Sequence, residues 1–544
     1  MSHRAEGFKK GGDHEAARHT RARVNFSLRK KNREDTVVKK RATVTGPAAA
    51  ASEEEAASVR VEEVQELKDE DVKFFIAQME AADPGVRLKA TQQIRKYTST
   101  TRAARALAQV TRLNVIPVVV SLLRATSYPE HQFEACWILT NIASCTTHHV
   151  EELLQANALE PLFAALHNTA HFTLHEQALW ALANIAGDAF KYALQLVEEH
   201  HFVARLVALA DKNPYLVERV EYARLYIWTL TNLCRAQFGL EKLSPLIPVL
   251  SQFLMHQDEQ ILFEAAYALH YITEVNPYDK DNNLQIDAIL SQPGVCNRLI
   301  RLLASPYSKV VRPVLKVLGN IASGTPVHTG TLLREGVVAA LEPLFTHTDG
   351  RIVHQLCFAV SNIAGENREH ADAVLHFIPK LSALASATNS AFRCRLEATW
   401  CIVNMVIIGS EDQIAFMAKD ATVIQSLCEM LSSEEPDLIA SILQGFLRLL
   451  KLDPEFAVKL EECFGLAKIE SLQGHGNEQI YKLSCSLMDE LAATTGKAET
   501  EGGGIQQQSD FLFHPISASS DFGLRPLLTS AFPIPPLATF PPLP

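Results

Sequence analysis

The chain has 544 residues, is 47% hydrophobic and carries a net charge of −11, so it can bury a large core. Its first twenty residues are polar and basic with no apolar run, no stretch approaches the roughly 18 apolar residues of a membrane span, and its ten cysteines form no C-x-x-C pair. A secretory leader, a spanning helix, a zinc knuckle and a disulfide frame are therefore not expected; the thiols are expected to be reduced and buried in a cytosolic or nuclear protein.

The charge is unevenly placed. Residues 1–44 hold thirteen lysines and arginines against five acids, a net of +8, which leaves −19 for the remainder. The bases include Arg18, Arg21, Arg23, Arg29, Lys30, Lys31 and Arg33, then the cluster Lys39, Lys40 and Arg41. A basic arm on an acidic body predicts two partner surfaces of opposite sign, and contact between the two. Taken alone, such an arm also fits nucleic-acid binding. Residues 45–71 read as a flexible linker, with helix beginning near Leu67–Val72. Residues 72–493 are a succession of apolar-periodic segments broken by Pro, Gly and Asn, with almost no strand-like alternation, which predicts an all-α body. Residues 494–544 carry glutamines and a proline-rich end, a composition that predicts a disordered tail.

The body repeats itself. FEACWILTNIAS from Phe133, HEQALWALANIAGD from His175, IWTLTNLCR from Ile227, GNIASGT from Gly319 and SNIAGE from Ser361 are versions of one segment. Their anchoring positions are Asn141, Asn184, Asn232, Tyr271, Asn320, Asn362 and Asn404, separated by 43, 48, 39, 49, 42 and 42 residues. A period of roughly 40–47 residues is that of armadillo and HEAT arrays, in which each unit buries its apolar face only against its neighbours. Val86–Thr98 reads as a degenerate first repeat, and Leu438–Leu450 and Phe464–Leu491 as the last ones.

Within the repeat an aromatic stands four residues before the anchor. All four tryptophans do so: Trp137, Trp180, Trp228 and Trp400; Phe358 precedes Asn362 and Tyr267 precedes Tyr271. Positions i and i+4 share a helix face. Asparagine is poor inside helices because its amide competes for backbone hydrogen bonds, so its recurrence needs a reason. On a concave face, each amide offers a donor and an acceptor to an extended peptide, and the rings between them form slots for long basic side chains. The competing reading is a core aromatic beside a surface asparagine, which explains one pair better than four. Glu134, Glu176, Glu264 and Glu397 lie three or four residues before the aromatics, and Asp188 follows Asn184 by one turn. Acids in register with aromatic slots suit a basic ligand. His167, His171 and His175 fall at i, i+4 and i+8 but lack an acid or Cys partner, and the pairs His148–His149 and His200–His201 read as surface positions on helices. With no phosphate loop, nucleophile elbow or H-E-x-x-H, neither an enzyme, a cofactor nor a metal is expected.

These segments, in this order and spacing, resemble the importin-α family across nearly the whole ordered chain. The resemblance implies a right-handed superhelical armadillo solenoid of about ten repeats, with a disordered N-terminal arm and C-terminal tail, that adapts cargo bearing nuclear localisation signals to importin-β. It assigns Trp137, Asn141, Trp180, Asn184, Asp188, Trp228 and Asn232 to a major signal site. Lys316, Asn320, Phe358, Asn362, Glu397, Trp400 and Asn404 would form a minor one. Arg18 through Arg33 would bind importin-β and Lys39-Lys40-Arg41 would fold back as a pseudo-substrate. A CAS-type exportin would recycle the protein between nucleus and cytoplasm; nucleic acid and membrane are not expected partners. Phe358 stands in place of a Trp, Pro326 in place of an acid, Lys316 in place of an Arg, and Cys145 and Val150 in place of Gly and Thr. A catenin-type scaffold is the alternative, although such grooves tend to be basic.

Overall fold

The computed structural model describes residues 67–99, 103–168, 170–274, 283–387, 391–453 and 455–501, apart from the side chains of residues 212 and 495–501. All of them are helix or connection, with no strand among the described residues. The chain divides into a unit ending at Thr495 and a second from Gly496. The repeats lie in the first.

Among the described residues nine helices of 15 to 17 residues recur along that unit: α1 (Pro84–Thr98), α2 (Pro129–Ala143), α3 (Phe172–Asp188), α4 (Val220–Arg235), α5 (Glu259–Thr273), α6 (Ser308–Ala322), α7 (Gly350–Ala364), α8 (Phe392–Ile408) and α9 (Pro436–Leu452). Each packs against the next, which makes one continuous stack. Shorter helices fill the intervals, as with Thr147–Gln155 and Leu159–His167 ahead of α3. Local chemistry starts several of the long ones. Pro84 sits at the first turn of α1, where its missing N–H costs nothing, while the Asp83 carboxylate accepts from Gly85 and Val86. Asp258 and Asp349 cap α5 and α7 in the same way.

The corners between the short helices share a device. Asn114, Asn157, His201, Gly294, Gly336 and Phe464 all take left-handed backbone, and each stands just ahead of the second short helix of its unit; Gln237, just past the end of a long helix, takes it too. His200 and His201 therefore lie in a turn and not on a helix; His200 stacks on Phe163 at 4.9 Å. The final repeat is three helices, Phe456–Glu462, Gly465–Leu472 and Glu478–Glu501, the last running past Thr494.

The core is the stack itself. Nearly every residue of α2 from His131 to Ala143 is buried, because the neighbouring helices cover both sides. Cys136, Cys234, Cys357 and Cys401 are free thiols inside it, and burial pushes them far above the ordinary cysteine range, which leaves them unreactive.

Candidate peptide-binding ladder

The asparagines are not surface residues. Asn141, Asn184 and Asn362 are fully buried, Asn232 and Asn404 nearly so, and Asn320 half-buried. Their amide nitrogens donate backwards to the preceding long helix. Asn184 reaches the Thr140 carbonyl at 3.1 Å, Asn232 the Ala183 carbonyl at 3.1 Å, Asn362 the Gly319 carbonyl at 3.1 Å, and Asn404 the Ser361 hydroxyl at 3.0 Å. In all four the acceptor is the residue just before the preceding asparagine. Asn141 does the same to α1, where it meets Ser99 Oγ at 3.0 Å and the Thr98 carbonyl at 3.5 Å. Where Tyr271 breaks the series, Asn320 turns to the Thr273 hydroxyl at 3.0 Å and the His270 ring at 3.3 Å. Thr140 and Thr231 tie forward, each hydroxyl donating at 3.1 Å to a carbonyl of the following helix, those of Gln177 and Glu264. The anchors thus staple the stack and set its register. One amide donor is spent on this, and the side-chain oxygens of Asn141 and Asn362 stay buried without a partner.

Trp137, Trp228 and Trp400 are buried, whereas Trp180 and Phe358 are half-buried. Phe133 meets Trp137 edge-on at 5.5 Å. Tyr267 is attended by two cations: the Arg312 guanidinium donates to its hydroxyl at 3.0 Å, and the Lys316 ammonium lies 5.5 Å from its ring. Phe358 rests on bare backbone. A Cβ on Gly319 would come within 2.8 Å of its ring, so only glycine admits it.

The acids are not solvated either. Glu134, Glu176, Glu264 and Glu397 are all buried. Glu134 pairs with Arg95 at 2.6 Å, Glu397 with His354 at 3.2 Å, and Glu264 accepts from Gln260 at 2.9 Å. Glu176 differs: burial pushes its carboxyl from an ordinary value of 4.5 up to about 7, against the pull of Arg219. Raising an acid's value in the folded state favours its neutral form, so Glu176 supports folding fully below about 4.5 and loses that contribution as pH climbs through about 7. Glu176→Gln is accordingly expected to raise the melting temperature at pH 8 and to leave it nearly unchanged near pH 4.5, read by thermal denaturation across that range. Asp188 closes α3, half-buried, with Oδ1 3.3 Å from the Thr147 hydroxyl. The last carbonyls of a helix concentrate negative potential, so its carboxylate adds to a field that favours cations.

The remaining expectations fall in several places. Arg18, Arg21, Arg23, Arg29, Lys30, Lys31, Arg33, Lys39, Lys40 and Arg41 lie outside the described residues. Pro326 opens the helix Pro326–Arg334, capped by Thr325. The spaced histidines do not converge: His175 is buried between the Leu166 carbonyl and the Tyr222 hydroxyl, while His167 meets the Phe163 carbonyl and Arg205. Among the described residues no group of three or more His, Cys, Asp or Glu is arranged for a metal ion. Arg95 and His354 were missed by sequence reading. Counting one repeat back from Trp137 finds the first, but nothing in that stretch resembles a Trp/Asn pair.

Importin subunit alpha-4 of Arabidopsis thaliana is 31% identical over 536 residues, which cover 93% of this chain and 95% of that one. Importin subunit alpha-1b of Oryza sativa subsp. japonica is 30% identical over 443 residues, covering 78% and 79%. The chain belongs to the importin-α family. The importin beta binding domain family matches residues 4–92, the armadillo/beta-catenin-like repeat family residues 106–144, 146–187 and 282–323, and the atypical armadillo repeat family residues 454–491. An engineered protein of known structure overlays with a TM-score of 0.68 at 22% identity, over 78% of this chain and 99% of its own, a likeness of fold. Importin-α membership makes the protein a nuclear import adaptor and not an enzyme, and displaces the catenin-type alternative.

Proposed function

We propose that the Trp/Asn ladder of α2–α4 is the major site for lysine-rich nuclear localisation signals of cargo, and that α6–α8 form a minor site. The observation that carries this reading is the aromatic rung, one ring per long helix in the same register from Trp137 through Trp180 to Trp228 and again from Phe358 to Trp400, with Trp180 and Phe358 half-buried. Trp137, Trp180 and Trp228 supply slots for lysine stems, with Asp188 as the anionic contact; Phe358, Glu397 and Trp400 serve the second site. A phenyl face is smaller and less negative than an indole, so the minor site binds more weakly.

Residues 1–44 are the importin-β-binding segment in this reading, and Lys39-Lys40-Arg41 compete with cargo for the ladder when importin-β is absent. The chain then shuttles between cytoplasm and nucleus, with a CAS-type exportin returning it. The importin beta binding domain match over residues 4–92 supports the first assignment. Changing Arg21, Arg23, Arg29 and Arg33 together to Ala should abolish capture by immobilised importin-β while circular dichroism stays helical. Binding by the unaltered chain should weaken steeply with salt. Full capture of the quadruple variant would assign the arm to another partner, nucleic acid being the first to try.

A further inference from the structure

The staples reveal which residue of α1 stands on the aromatic rung. Asn141 bonds Thr98 and Ser99 as the later asparagines bond the residues just before their own predecessors, so Ser99 occupies the asparagine position of α1. Four residues earlier, where the next helices carry Trp137, Trp180 and Trp228, stands Arg95. Its guanidinium carbon lies 4.6 Å from the Trp137 ring centroid, and its Nε donates to Glu134 Oε2 at 2.6 Å. Both partners are sheltered, with side chains 11% and 8% exposed.

We propose that Arg95 is a resident end-stop that fixes how many basic residues the major site reads. It already makes the contacts that a lysine of the signal would seek there: a ring face for the cation and a sheltered carboxylate for the charge. A ligand lysine can enter only by displacing an equivalent pair while standing next to the displaced arginine, so an extra basic residue at this end gains nothing. Glu134 also lines a cavity of about 350 Å³ with Gln92, Glu130, Phe133 and His171. This inference rests on the ladder being a site for basic peptides.

The test uses the full-length chain and three peptides: a short lysine-rich signal, and the same signal with one more lysine at its N or its C terminus. Titration of Arg95→Ala should show one of the two extended peptides binding about three- to tenfold tighter than it binds the parent, with the unextended peptide changed less than about twofold. Arg95→Gln, which keeps a hydrogen bond to Glu134, gives the same comparison if the alanine variant loses thermal stability. No gain for either extended peptide would overturn the proposal. An equal gain for all three would too, since that is only the removal of a distant positive charge. If the parent chain binds none of the peptides, the ladder reading itself fails and the end-stop fails with it.

Discussion

Asp188→Lys is expected to weaken binding of a lysine-rich peptide by about ten- to a hundredfold, because it replaces an attraction with a like-charge contact. The position makes this a clean test. Asp188 is the last residue of α3 and meets the Thr147 hydroxyl across the connection at 3.3 Å. A lysine at a helix C-terminus interacts favourably with the exposed carbonyls, so the fold should tolerate it or gain slightly. Affinity and stability should therefore move in opposite directions. Fluorescence anisotropy with a labelled peptide reads the first and a melting curve the second. Asp188→Asn should fall between parent and lysine variant. Unchanged affinity for the lysine variant would remove Asp188 from the site.

Asn184→Ala is expected to behave differently, lowering stability and affinity together. Its amide donates to the Thr140 carbonyl across the α2–α3 interface at 3.1 Å in a fully buried setting. Removing it strands that carbonyl and leaves a small void, a loss of about 1–3 kcal/mol. In a repeat array the damage concentrates at the affected interface, so hydrogen exchange should quicken in α2 and α3 more than in α8 and α9. Peptide binding should weaken as well, because the staple fixes the spacing of Trp137 and Trp180. A variant that loses affinity with the protection pattern intact would mean that the asparagine serves the ligand alone.

The contrast between these two residues shows what was legible in the sequence. Period and register were: the spacing of Asn141, Asn184 and Asn232, 43 and 48 residues, places three long helices in succession, and a buried face every fourth residue follows from helix geometry. The staples were not, because each asparagine bond joins residues more than forty positions apart, and the backbone acceptors among them, such as the carbonyl of Ala183, have no side-chain signature. For the same reason the acids read as an open field when all four are buried, three of them with partners in Arg95, His354 and Gln260. His354 beside Glu397 and Arg95 beside Glu134 are set by the offset between neighbouring helices, which no single repeat displays. Arg95 was doubly hidden, since α1 carries neither the tryptophan nor the asparagine that marks the rung. The corner turns were missed in part: glycine at Gly294 and Gly336 announces left-handed backbone, whereas His201 and Phe464 take it without any such cue.

Titration of a lysine-rich peptide against the full-length chain and against the chain lacking residues 1–44 tests the central claim most directly. The +8 arm is tethered to a −19 body, and a tether of this length holds it at an effective concentration of about millimolar near the ladder. Both proteins should bind the peptide, the shortened one several-fold more tightly. Binding by neither protein would contradict the ladder as a signal site, and equal binding by both would contradict the competing arm.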